Sequence, residues 1–468
     1  MESAPAKKIG LLGIIFFVFS GMIGFDGLAA TAAVGPSVFG WWVVVIVLFL
    51  IPNLLMTSEL GTAFPSDGAI YDWAHKALGP RHAARVGWFY WINVPFWMPA
   101  VYLIASGILS LLFFPDASVW VQIFIAIAMV WITVFICNAP AATSNMVNYV
   151  GGTAKVIVLM ALIIGGINFV STHGAANEIS LETMMPRFDE GFRYAPTLVY
   201  LIVGAETVAC LGGSLRNPRR NIPLGLFLAV SFILVLYSLA IGAIMVALPT
   251  NELSLVGGIT QTFSILFGDS AAGRALTVSM SLVAIAALMV YIVPWLMASS
   301  RAAAEGADGK EMPAIFGKRN ASGSPVGANL LTGVVATIAL VVYGLMSGSA
   351  DELFWSLFAF ASFLLFVTYF FMIASFVKLR ETHADTPRPF RVPGGKFGVW
   401  TVALMQGLVL VVSCLVFAFP DIMFGVIDLG DSAPILGGIL GSFLFIEYSV
   451  RRMVPKNQPT KSSALSPS

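Results

Sequence analysis

Charge is scarce in this sequence, and the scarcity excludes whole classes of protein. Only 10% of the 468 residues are charged, while 58% are hydrophobic. A soluble domain carries roughly 25% charged residues, so this composition could not cover the surface of a soluble fold. The formal net charge is +1, which provides no basic field for nucleic acid. The composition predicts an integral membrane protein with no nucleic-acid partner.

Histidine and cysteine are equally sparse. The four histidines fall in predicted loops, and the three cysteines lie in separate apolar runs without metal-binding or pairing spacing. The sequence therefore predicts no metal site and no cofactor. A membrane enzyme would need a cluster of His and Asp or a metal set, so the sequence also argues against an enzyme.

Long apolar runs recur along the chain, and a bilayer requires about 20 apolar residues per helix. They predict twelve membrane-spanning helices. The predicted spans are 9–33, 40–60, 84–113, 118–137, 146–170, 194–213, 222–248, 275–300, 327–347, 353–378, 399–419 and 432–450.

The placement of Lys and Arg supports this count. Twelve spans put both termini on one side, and cytoplasmic loops collect basic residues. Of the 25 Lys and Arg, only Arg187, Arg193 and Arg274 would lie outside, and Lys155 lies within a span. We therefore predict a multi-pass protein with both termini cytoplasmic.

The first span contains Gly21, Gly24 and Gly27 together with Asp26. In an unbroken helix each glycine costs about 1 kcal/mol against alanine, and a central Asp costs about 2.5–3.5 kcal/mol. A helix unwound here would expose N–H groups toward a solute. The alternative is close helix packing through small residues, but Asp26 favours the break.

The sixth span repeats this pattern with Gly204 and Glu206 near its middle. The first and sixth spans each begin a block of five, and matching interruptions in corresponding segments indicate a transporter built from inverted repeats. We expect Glu206 to influence the pH dependence of transport. A carboxyl that only stabilises the broken helix is the alternative.

Lys155 is the one basic residue inside a predicted span. Its long side chain could extend to the cytoplasmic edge of the bilayer. Otherwise the ammonium group needs a partner within the helix bundle. The sequence leaves both possibilities open.

Five segments, taken in chain order, resemble one transporter superfamily. They are Gly21 to Gly27, Glu59-Leu60-Gly61 with Phe64-Pro65, Gly204-Ala205-Glu206 with Asn217-Pro218-Arg219-Arg220, Ser299-Ser300-Arg301 with Asp308-Gly309, and Arg388-Pro389-Phe390-Arg391-Val392-Pro393. Over nearly its whole length the chain resembles a permease of the amino acid–polyamine–organocation (APC) superfamily.

Two branches of that superfamily are closest in pattern. Pro249-Thr250-Asn251-Glu252, after the seventh span, resembles bacterial glutamate/GABA antiporters. Phe19-Ser20-Gly21 with Gly24-Phe25-Asp26 is more similar to polyamine-type permeases.

The resemblance implies an all-α membrane protein with about 12 transmembrane helices, arranged as a LeuT-like 5+5 inverted repeat plus two peripheral helices. The implied segments are a cytoplasmic N-terminus at 1–8, a first five-helix repeat at 9–170, a second at 194–378, peripheral helices 11 and 12 at 399–450, and a disordered cytoplasmic tail at 453–468.

The resemblance also implies a substrate site between the two breaks. Its implied members are Gly21, Met22, Ile23, Gly24, Phe25, Asp26, Tyr200, Val203, Gly204 and Trp295. Asp26 would pair with an ammonium group of the substrate. Glu206 and Lys155 are the implied proton-coupling or cation-site residues, because Lys155 matches a helix 5 lysine that replaces a sodium ion in several relatives.

The implied function is secondary active transport of amino acids or related amino compounds across the cytoplasmic (inner) membrane of a bacterium. Alternating access would be sodium-independent, by exchange or by proton coupling. Amines such as putrescine or agmatine form the second substrate class, and a non-transporting membrane amino-acid sensor is the alternative of another kind. The implied partners are a small-molecule amino acid or amine and the lipid bilayer, with monomer and homodimer both open.

Overall fold

The computed structural model describes residues 10–66, 68–115, 117–139, 141–206, 208, 217–427 and 429–454. The predicted N-terminal segment 1–8 and nearly all of the predicted tail 453–468 lie outside these ranges. Within them the chain forms helices, turns and loops but no strand. The helices are α1 (Leu11–Met22), α2 (Leu28–Ala32), α3 (Val38–Ala63), α4 (Ile70–Leu78), α5 (Pro80–Phe113), α6 (Val119–Asn138), α7 (Ala141–His173), α8 (Pro196–Tyr200), α9 (Pro218–Ala247), α10 (Gly258–Phe267), α11 (Ala271–Asp308), α12 (Val326–Gly344), α13 (Ala350–Thr382), α14 (Gly395–Ala418) and α15 (Leu429–Met453).

Ten helices of the described ranges are long and apolar enough to cross a membrane: α3, α5, α6, α7, α9, α11, α12, α13, α14 and α15. The other two predicted spans are interrupted. In the first, α1 and α2 flank a non-helical segment at 23–27, and in the sixth, α8 ends at Tyr200. The breaks therefore occur at the glycine and carboxylate positions that predicted them.

Two short helices, α4 and α10, were not predicted. Each has ten residues or fewer, so a search for apolar runs of membrane-spanning length passes over both. In α4, Asp72 lies in the first turn and Lys76 in the last. This charge placement complements the helix dipole and stabilises a short helix outside the apolar spans.

The centre of the bundle is formed by α5 and α13. In each of these helices 72% of the most apolar stretch is buried inside the protein, the largest share of any described span. Apolar helices exposed to lipid need bury only one face, whereas a central helix is enclosed on all sides. Each broken span contacts this pair through a side chain: Asp26 accepts from Trp97 of α5, and the Gly204 N–H donates to Tyr369 of α13.

One end of the bundle is held by a buried group of charges, the Glu59 cluster, formed by Glu59, Arg380, Arg388 and the backbone of Val392. Glu59, near the end of α3, accepts from both guanidinium groups and from the Val392 N–H, the latter at 2.7 Å. The side chain of Glu59 is 2% exposed. The cluster thus ties α3 to the end of α13 and to the segment that follows it.

A second polar contact lies on the side predicted to be cytoplasmic. The Tyr71 hydroxyl of α4 donates to Glu311 Oε2 at 2.7 Å. Burial and the neighbouring Glu311 carboxylate raise the pKa of Tyr71, so the phenol keeps its proton and donates this bond. The contact joins α4 to the loop after α11.

Candidate functional site

The break in the first span is held open by a tyrosine. The Tyr237 hydroxyl of α9 donates to the Met22 carbonyl at 3.1 Å and accepts from the Gly24 N–H at 2.9 Å. A Cβ on Gly24 would lie 2.6 Å from both the Tyr291 hydroxyl and Asp26 Oδ1. Position 24 therefore requires glycine, because neighbouring side chains approach its backbone too closely for a Cβ. The Tyr237 hydroxyl also satisfies the buried backbone groups that the break leaves without helical partners.

Lys155 points into the same break. Its side chain is buried, and Nζ donates to the Ile23 carbonyl at 2.8 Å. The ammonium nitrogen lies 3.9 Å from the centre of the Tyr291 ring, a distance typical of a cation–π contact. Of the two possibilities for Lys155, the structure places it inside the bundle rather than at the edge of the bilayer.

Asp26 is 1% exposed, and its two carboxylate oxygens have different surroundings. Oδ2 accepts from Trp97 Nε1 at 2.9 Å and from the Tyr200 hydroxyl at 2.8 Å. Oδ1 has no hydrogen-bond partner among the described residues, and no basic side chain of that set lies within ion-pair distance. A buried carboxyl oxygen without a partner calls for a positively charged or hydrogen-bonding ligand.

Asp26 lines a narrow cavity between the breaks, which leaves only about 20 Å³ for the centres of water-sized molecules. Five of its thirteen lining residues are aromatic, and Asp26 and Asn93 add polar side chains. The lining residues are Gly21, Met22, Gly24, Asp26, Asn93, Trp97, Tyr200, Leu201, Val203, Tyr237, Tyr291, Trp295 and Leu365. Aromatic faces attract cations, so the cavity suits a ligand that carries an amino or guanidinium group.

Most of the residues that the resemblance implied lie at this cavity. Its lining contains Gly21, Met22, Gly24, Asp26, Tyr200, Val203 and Trp295. Among the described residues, Ile23, Phe25 and Gly204 are buried behind the lining rather than part of it. The side chains of Glu206 and Lys155 lie next to the breaks, where they contact Tyr369 and Ile23.

Sequence reasoning missed Asn93, Trp97, Tyr237 and Tyr291, which also line the cavity. A signal existed for Trp97, because Pro95 and Pro99 bracket it in the middle of α5. Tyr237 and Tyr291 each place a hydroxyl group in an otherwise apolar span. Buried tyrosines usually find a hydrogen-bond partner, so both residues gave a signal in the sequence. Their partners could not be named without the fold.

The second break is organised around Glu206. Its Oε2 accepts from the Tyr369 hydroxyl at 2.6 Å, and the same hydroxyl accepts from the Gly204 N–H at 2.9 Å. Gly204 has a φ of +109°, a conformation that favours glycine. Tyr369 of α13 therefore supports this break much as Tyr237 supports the first.

We expect Glu206→Gln to flatten the pH dependence of transport. Glutamine keeps the size of the side chain and an acceptor for Tyr369, but it cannot exchange a proton. An ionisable group enclosed at the level of a helix break is a candidate to take up and release a proton during transport. The measurement is the initial uptake rate between about pH 5 and pH 8 in proteoliposomes.

Tyr369→Phe is the matched control for this variant. It removes the hydroxyl that supports the break but leaves the carboxyl in place. Transport should slow and its pH profile should still show a titration, shifted along the pH axis because the Glu206 carboxylate loses its donor. A normal profile in Glu206→Gln would instead show that Glu206 only stabilises the broken helix.

Comparisons with known proteins agree with this architecture. The family model described as amino acid permease matches residues 9–444. The chain is 31% identical over 465 residues to the probable agmatine/putrescine antiporter AguD of Lactococcus lactis subsp. lactis, covering 97% of this chain and 98% of that protein. It is 24% identical over 372 residues to the aspartate/glutamate permease AcaP of Lactococcus lactis subsp. cremoris, covering 74% of each.

A solved structure shows the same fold. The crystal structure of MhsT in complex with L-phenylalanine superposes with a TM-score of 0.61 at 16% identity, covering 86% of this chain and 98% of that one. The predicted all-α, LeuT-like class is thereby confirmed. The family assignment also makes this protein a transporter rather than an enzyme. The chain belongs to the amino acid permease family of the APC superfamily.

Proposed function

We propose that this protein exchanges cationic amines of the agmatine and putrescine class across a bacterial cytoplasmic membrane. Substrate binds in the aromatic cavity between the two helix breaks, and the termini face the cytoplasm. Of the two substrate classes that the sequence left open, the site favours amines over amino acids.

The observation that carries this proposal is the free oxygen of Asp26. Asp26 lines the cavity, its Oδ1 has no hydrogen-bond partner among the described residues, and its Oδ2 already accepts from Trp97 and Tyr200. An unpaired buried charge costs several kcal/mol, so a cationic ligand at Oδ1 relieves this cost. The carboxylate of an amino acid would meet the same Asp26 as a repulsive neighbour.

The aromatic walls supply the second part of the recognition. Trp97 lies against Tyr291 and Trp295 with ring centroids 5.3 and 5.7 Å apart. Such surfaces hold alkyl chains by apolar contact and ammonium or guanidinium groups by cation–π attraction. A flexible chain with a cationic end matches both features. The 31% identity to an agmatine/putrescine antiporter supports the same class.

The proposal is tested by counterflow in proteoliposomes. Vesicles preloaded with unlabelled putrescine should take up labelled agmatine rapidly, and vesicles loaded with glutamate or buffer should take up little. Uptake driven equally well by glutamate would favour an amino acid exchanger. Binding of agmatine without flux under any loading would favour a sensor.

We expect agmatine uptake to be independent of sodium. A sodium ion at the first break would need backbone carbonyl oxygens, but the Ile23 carbonyl is already occupied by the Lys155 ammonium. Replacing external sodium with potassium should therefore leave the uptake rate unchanged within error. Uptake that requires a sodium gradient would contradict the role given to Lys155.

A further inference from the structure

We propose that Trp97 is a positioning residue for amine recognition, because its indole N–H holds Asp26 Oδ2 and thereby fixes the orientation of the carboxylate at the cavity. This inference rests on the amine function proposed above. Under this proposal the central helix α5 contributes to substrate specificity in addition to the two helix breaks. Trp97 acts through the orientation of the carboxylate.

The geometry gives Trp97 a fixed position. The residue is 3% exposed, and its ring makes edge-on contacts with Tyr291 and Trp295. Its Nε1 lies 2.9 Å from Asp26 Oδ2. A ring enclosed on these sides cannot change rotamer freely, so its N–H is a rigid donor.

Asp26 itself lies in the non-helical segment between α1 and α2. Two donors on one oxygen, Trp97 from α5 and Tyr200 from α8, define the plane of the carboxylate. Preorganising a charged group in its binding orientation avoids an entropy cost when the ligand arrives. Loss of either donor leaves the carboxylate free to turn.

The first experiment measures agmatine affinity by calorimetry on the purified full-length protein. Trp97→Phe keeps an aromatic wall but removes the donor, and it should weaken agmatine binding about tenfold or more, as expected for a hydrogen bond to a charged group. Trp91→Phe is the matched control. Trp91 lies on the same helix, is equally buried and donates to Thr332 Oγ1 at 3.1 Å, away from the cavity. Its loss should leave agmatine affinity unchanged.

A double-mutant cycle separates positioning from general loosening of the site. The melting temperatures of ligand-free Trp97→Phe, Asp26→Ala and the double variant are compared with wild type. If the indole holds the carboxylate, the double variant loses less than the sum of the single losses, because each single change already breaks the shared bond. Additive losses would overturn the inference even if agmatine binding had weakened.

The remaining outcomes are also decisive. An unchanged agmatine affinity in Trp97→Phe, or an equal loss in Trp91→Phe, would show that Trp97 does not position the binding group. Wild-type protein that binds no agmatine would overturn the proposed amine function itself. In that case the stability cycle still reports whether Trp97 and Asp26 are coupled, so the two failures can be told apart.

Discussion

An Asp26→Asn variant should bind agmatine about 30-fold to several-thousand-fold more weakly than the wild type. Removing one member of a buried charge pair typically costs 2–5 kcal/mol, which corresponds to this range of affinity. Asn has the same shape as Asp and can still accept from Trp97 and Tyr200, so folding and insertion should be preserved. Agmatine affinity and the melting temperature of the purified protein are measured together.

The competing role for Asp26 is that of a helix cap, since Asp favours helix N-termini. The structure gives this role little support, because α2 begins after Gly27 and no side-chain cap hydrogen bond is present there. Loss of a cap costs about 1 kcal/mol of stability and should affect all ligands alike. The deciding comparison is therefore between a diamine and a neutral amino acid. Equal losses for both, with a lowered melting temperature, would leave Asp26 with a structural role only.

The number and type of the helices could largely be predicted, because they depend on stretches of neighbouring residues in the sequence. A bilayer requires long apolar helices, and this requirement shows directly in the sequence as runs of apolar residues. The interrupted spans were predictable for the related reason that Gly24, Asp26 and Gly204 are unfavourable in an intact membrane helix. Whether 9–170 and 194–378 form two inverted repeats stays a prediction, as do the boundaries of the remaining segments.

The site was predictable only in part, because its contacts join distant parts of the chain. Trp97 reaches Asp26 across 71 positions, and Tyr237 reaches Gly24 across 213. The chain contains 36 Phe, 11 Trp and 11 Tyr, so residue type alone cannot separate a ligand-facing ring from one in the core. The orientation of Lys155 was undecided for the same reason, since its partner is a carbonyl that becomes available only at the break.

The contacts of the Glu59 cluster could not be predicted from the pattern of apolar residues in the sequence. The sequence placed Glu59 at the end of the second span, within a segment that resembled the superfamily. Nothing in its spacing indicates Arg380 and Arg388, which lie 321 and 329 positions away. The fold brings one carboxylate and two guanidinium groups together in a setting almost closed to water, where electrostatic interactions are strong.

We expect Glu59→Gln to lower the free energy of unfolding by about 3–5 kcal/mol, the usual cost of removing one partner from a buried ion pair. Glutamine can still accept from Val392, but Arg380 and Arg388 lose their shared counter-charge. Their side chains are only 9% and 6% exposed, so water cannot replace the carboxylate. Burial also lowers the pKa of Arg388, an effect that the Glu59 carboxylate opposes in the wild type. The measurement is denaturant unfolding of the purified protein in mild detergent.

Glu447→Gln is the matched control, because Glu447 likewise bridges two arginines, Arg85 and Arg451. Its side chain is 34% exposed, however, so solvent screens the pair. Exposed ion pairs contribute about 0–1 kcal/mol, and this variant should therefore unfold close to the wild-type denaturant midpoint. Burial, rather than the number of ion pairs, then accounts for the difference between the two variants. Similar midpoint shifts in both would mean that the Glu59 cluster is no stronger than a surface ion pair, and that the ends of α3 and α13 are held together by apolar packing alone.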